Sequence, residues 1–95
     1  MKFKPGDRIK LKPHLHTTTL WKSGVIVEAE CDNYLSYRIR WSEWELDPYD
    51  DKHIIIRDYS TNTHFQVAVD KEYEIDTKWY RMQKLKTLLD RDWET

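Results

Sequence analysis

A mainly β fold, a small antiparallel barrel of about five strands with a C-terminal α-helix, is predicted by three features of the sequence. Apolar and polar residues alternate through the first two-thirds of the chain, turn-forming residues separate the alternating runs, and the apolar spacing changes to three and four after residue 76. The chain has 95 residues, enough for one domain with a single core. Residues 1–76 are expected to form the barrel and 77–95 a helix packed on it.

Each strand follows from its period. Pro5-Gly6-Asp7 is a turn signal directly before Arg8-Ile9-Lys10-Leu11, in which Ile9 and Leu11 alternate with basic residues. Gly24 opens a second strand, where Val25, Val27 and Ala29 are expected inside and Glu28 and Glu30 outside. The segment "CDNYLS" supplies a hairpin turn into a third strand, whose Tyr37, Ile39 and Trp41 share a buried face while Arg38 and Arg40 share a wet one. "HIIIRDY" and "HFQVAV" then read as a second hairpin around "STNT", with Phe65, Val67 and Val69 on one face of the returning strand. If the strands pair in sequence order, Arg8, Lys10 and Lys12 meet Glu28 and Glu30, which meet Arg38 and Arg40. That is a ladder of cross-strand ion pairs on a solvated surface.

The helix is predicted from Trp79, Met82, Leu85, Leu89 and Trp93, with Asp76 at the N-cap position and no Gly or Pro interrupting. Its apolar stripe has two readings: it closes an open end of the sheet, or it docks a partner or a second copy.

Several chemistries lack their residues. Two glycines, Gly6 and Gly24, do not build a phosphate-cradling loop. His14 and His16 form an H-x-H pair whose loop offers no further ligand, and His53 and His64 read as solvated residues at strand ends. Cys31, the only cysteine, reads as a small filler beside a turn. No nucleophile stands with a base, so neither catalysis, a metal nor a cofactor is expected. The apolar runs "VIV" and "III" are far short of the ~20 residues that span a bilayer, and a cytoplasmic location is the expectation.

Residues Gly6, Asp7, Ile9 and Leu11, followed by Gly24, Val25 and Val27, resemble the first strand pair of SH3-like small barrels, in particular KOW-type, Tudor-like and CarD-type modules. The run "RIKLKPHLHTTTLWKSGVIVE" is also similar in layout to small SH3-like subunits of photosynthetic electron-transfer complexes. The resemblance covers about residues 4 to 69 and implies a barrel that serves binding rather than catalysis. The helix from residue 77 and the long acidic segment 43–51 depart from the shared pattern.

Charge narrows the binding classes. Sixteen basic and seventeen acidic residues leave a net charge of −1, so electrostatic recognition must be local. Two functions of different class follow. The first is a protein-interaction or regulatory module in which Trp21, Glu43, Trp44, Glu45, Asp47 and Tyr49 form an aromatic and acidic surface for a basic or Pro-containing segment, or for a larger complex. The second, implied by the KOW and Tudor-like resemblance, is a nucleic-acid-binding or transcription-associated module using Arg8, Lys10, Lys12, Arg38, Arg40 and Lys84. A monomer or weak homodimer is expected in either case.

Overall fold

The computed structural model describes residues 2–15, 21–30 and 35–92. One antiparallel sheet contains β1 (Arg8–Leu11), β2 (Ser23–Ala29), β3 (Ser36–Asp47), β4 (Asp50–Phe65) and β5 (Tyr73–Ile75) in the order β4-β3-β2-β1-β5. Helix α1 (Gln66–Glu72) joins β4 to β5, and helix α2 (Thr77–Asp92) follows β5. The mainly β, five-stranded architecture with a C-terminal helix is the one expected. Closure is not: β4 and β5 are the two edges of an open sheet, and no pairing joins them among the described residues.

The opening turn forms as read. Gly6 adopts φ +94°, a conformation that favours glycine, and the Asp7 carboxylate accepts the Lys4 N–H at 2.9 Å. Ile9 and Leu11 are buried on one face of β1, together with Tyr37, Ile39 and Trp41 of β3. Phe3, Val69 of α1 and Tyr73 of β5 complete this core. Tyr37 ties the layers together, because its hydroxyl accepts the Phe3 N–H at 3.1 Å and donates to Asp70 of α1 at 2.8 Å.

Three expectations about the strands are corrected by the structure. In β2 the buried apolar residue is Ile26, and Val27 is 41% exposed. Gly24 and Ile26 lie opposite Trp41 and Ile39, and a bulge between Ile26 and Glu28 then resets the alternation. The second hairpin does not exist. Ser60, Thr61, Asn62 and Thr63 continue β4 past a register shift between Arg40 and Ser42, with Thr61, Asn62 and Thr63 opposite Arg40, Ile39 and Arg38, because the long β3 offers a template that suits β-branched threonines. The supposed returning strand is the end of β4 followed by α1, in which Gln66 and Val69 point inward while Val67, like Phe65 before the helix, stays exposed. A short apolar and polar run fits both a two-residue and a helical period, and helical packing under the sheet wins.

The basic ladder is also rearranged. Arg38 pairs with Glu28 at 3.4 Å, as the expected order requires, but Lys10 pairs with Glu74 of β5 at 3.8 Å. Arg8, read as solvated, is 3% exposed. It lies beneath the Trp79 ring at 4.7 Å, donates to the Ser42 hydroxyl and carbonyl at 3.1 and 3.2 Å, and stands 3.9 Å from Asp76. Burial lowers its pKa, partly offset by the adjacent Asp76 carboxylate. Asp76 caps α2 as predicted, accepting the Trp79 N–H at 3.2 Å. The stripe expected to cover the sheet is half-buried at Met82 and fails at Leu85, which is 54% exposed, while the side chains of Leu89 and Trp93 lie outside those described.

Candidate binding site

The sheet's alternation sorts its aromatic residues onto two faces. On the core face, Trp41 closes one end of the hydrophobic cluster. Its indole needs the space above Gly24, where an added Cβ would lie 2.8 Å from the Trp41 ring. Trp21, at the entry to β2, stacks on Trp41 with centroids 6.3 Å apart and planes 14° apart. Tyr73 and His64 flank the same indole, each with a centroid separation of 5.2 Å.

Two polar contacts hold these rings. The Trp41 indole N–H donates to His64 Nε2 at 3.0 Å, which assigns the proton of neutral His64 to Nδ1. Burial lowers the His64 pKa and so favours this neutral form. The Tyr73 hydroxyl donates to the Trp21 carbonyl at 2.6 Å and fixes the backbone that carries Trp21. Burial, with a smaller contribution from Glu72, pushes the Tyr73 pKa up to about 12, so it remains a donor.

Between these rings and α1 runs a groove of about 430 Å³. Trp41 and Tyr73 supply its apolar floor, Trp21 and Phe65 its walls, and His64 and Glu72 its polar groups. Phe65 is 73% exposed. An aromatic floor between two exposed rings suits a proline ring, an aliphatic side chain or the stem of a lysine or arginine.

Sequence-predicted residues of the aromatic and acidic surface divide between the faces. The acidic segment is not a free loop but the two arms of a β3–β4 ribbon, with Ser42, Glu43, Trp44, Glu45 and Leu46 paired to Asp58, Arg57, Ile56, Ile55 and Ile54. Trp21 lies at the groove and touches Tyr59, with centroids 5.4 Å apart. The Tyr59 hydroxyl donates to Glu43 at 3.0 Å, and that carboxylate raises the Tyr59 pKa. Glu45 pairs with Arg57 at 3.5 Å. Asp47 accepts the Tyr49 N–H at 2.9 Å in the ribbon's turn, where Tyr49 is 97% exposed.

Trp44 belongs to the other face. Its indole N–H donates to Asp76 at 2.8 Å, and its ring meets Trp79 edge-on at 5.4 Å, so it anchors the start of α2. Beside it is a second hollow of about 420 Å³, bordered by Lys10, Lys22, Leu46 and Lys78.

Among the basic candidates, Arg8 is buried, Lys10 and Arg38 face acids, Lys12 is half-buried, and Arg40 and Lys84 are exposed. His14 sits in a 3-10 turn, Pro13–Leu15, whereas His16 lies outside the described residues. No three potential metal ligands converge among the described residues.

Sequence reasoning read Trp41 as core and missed that its edge, with His64, Phe65 and Tyr73, lines an opening. The run from Tyr59 to Tyr73 is rich in rings, but their convergence depends on α1 turning the chain back. No α-helix among the described residues is long and apolar enough to cross a membrane. Compared with known proteins, the chain matches no family model, no curated protein and no solved structure.

Proposed function

We propose that this chain is a non-catalytic protein-binding module of SH3-like design that seats a short segment of another protein in the aromatic groove. The reading rests above all on the groove itself: apolar, open, and bounded by the exposed rings of Trp21 and Phe65. Contacts of this kind concentrate binding energy in a few aromatic anchors. The rings are held in advance by the Trp41–His64 and Tyr73–Trp21 hydrogen bonds, which reduces the ordering cost of association. The adjacent antiparallel pairing of the Gly6-led β1 with the Gly24-led β2 agrees with the SH3-like resemblance.

Titration with a panel of Pro- and Leu-bearing ten-residue peptides, followed by tryptophan fluorescence and amide chemical shifts, tests the reading. Shifts should centre on Trp21, His64, Phe65 and Tyr73. Trp21→Ala or Phe65→Ala should weaken binding by about tenfold, or ~1.4 kcal/mol, while leaving the far-UV spectrum unchanged. If no peptide binds, and mixed-sequence RNA binds instead with steep salt dependence that Lys10→Gln and Arg40→Gln abolish, the nucleic-acid function takes its place.

A further inference from the structure

The geometry points to the chemistry of the segment that occupies this groove: beyond an apolar anchor it continues as an extended strand carrying lysine or arginine at every second position. This inference rests on the groove being a peptide site. Along β3, Trp41, Glu43 and Glu45 fall at alternate positions and therefore project from one face, and Asp47 follows at the register shift where the ribbon turns. The pairing of β2 with β3 ends at Gly24 opposite Trp41, so the ribbon carrying the three acids runs past β2. Groove and acids are continuous, because Trp21 touches both Trp41 and Tyr59, and Tyr59 bonds Glu43.

Spacing selects the form of the ligand. Alternate residues of a strand lie about 7 Å apart, so successive carboxylates on β3 match successive same-face side chains of an extended peptide. A polyproline helix repeats every three residues and would bring its side chains to this stripe out of step. Charge selects the residue type: three carboxylates lie along this ribbon, and among the described residues Arg57 pairs with one of them, Glu45. The whole chain carries only −1, so any attraction for a basic segment is local to this stripe.

Four synthetic peptides sharing one Pro-Leu-Pro anchor provide the test. Their tails alternate Lys with Ser, group the same lysines at one end, alternate Glu with Ser, or contain Ser alone. Fluorescence and calorimetric titrations should give the alternating Lys tail about tenfold higher affinity than the Ser tail at low salt. That advantage should shrink at high salt and vanish in the Glu43→Gln, Glu45→Gln, Asp47→Asn triple variant and in Glu45→Lys, with the Ser peptide's affinity unchanged. Equal binding of Lys and Ser tails, still lost in Trp21→Ala, overturns the basic continuation and leaves the groove reading standing. Equal binding of grouped and alternating lysines overturns the extended form. Failure of every peptide to bind the unmodified protein overturns both readings.

Discussion

Gly24 is a position where one hydrogen atom decides whether the aromatic floor can form. An added Cβ would stand 2.8 Å from the Trp41 ring and 2.9 Å from both the Arg40 carbonyl and the Ile39 side chain, two of them parts of a packed sheet. Gly24→Ala should therefore cost about 1 to 3 kcal/mol through overpacking, read as a lower urea midpoint with an unchanged slope. His64 gives a different signature. Its folded pKa lies below the ordinary 6.5 because burial disfavours the cation, and protonation would also remove the acceptor used by Trp41. Well above pH 6.5 the residue is neutral in both states and adds no pH dependence. Below that value the unfolded chain takes the proton first, so stability falls with pH until the folded pKa is passed. His64→Asn should flatten this part of the stability profile between neutral and mildly acidic pH, measured by denaturation at each pH.

The ribbon and α2 meet at one carboxylate. Asp76 accepts from Trp44, caps α2 through Trp79, and stands beside the buried Arg8. Asp76→Ala removes all three relations and leaves a buried cation without its counter-charge, so a loss of about 3 kcal/mol is expected, measured by thermal and urea denaturation. Asp76→Asn, which keeps a capping oxygen, should lose less. This junction was half legible in the sequence. The cap was readable because Asp76 precedes an uninterrupted helical run, and β1 and β3 were readable because their alternation is strict. Arg8 was misread because period alone gives a side chain's face, and only the docking of Trp79 decides whether that face is wet. The β2 bulge and α1 were hidden for related reasons: a bulge shifts alternation without a required residue type, and a seven-residue helix leaves too short a period to outvote a strand. The binding groove was less legible still, since Trp21 was recognisable as a candidate but its partners come from β3, β4 and β5 and meet only through the pairing.

At the scale of the molecule, the core face and the polar face make unequal use of the sheet. One carries the hydrophobic cluster and the groove. The other carries charged pairs and holds α2 by its beginning. Extents of 49 × 28 × 22 Å and a radius of gyration of 15.1 Å, against about 12 Å for a compact chain of this length, reflect parts that run beyond a rounded core. The pairing of β1 with β5 has a further consequence, for the order in which the chain can fold. Strands β2, β3 and β4 are sequential neighbours and can pair as they leave the ribosome, but one edge of β1 stays open until Tyr73–Ile75 has been synthesised. Until then Ile9 and Leu11 lack the strand that brings Tyr73 beside them, and the Trp21 carbonyl lacks its hydroxyl donor. The aromatic groove is therefore among the last features of the nascent protein to form, and a chain stalled before β5 carries the ribbon's acids without the pocket beside them.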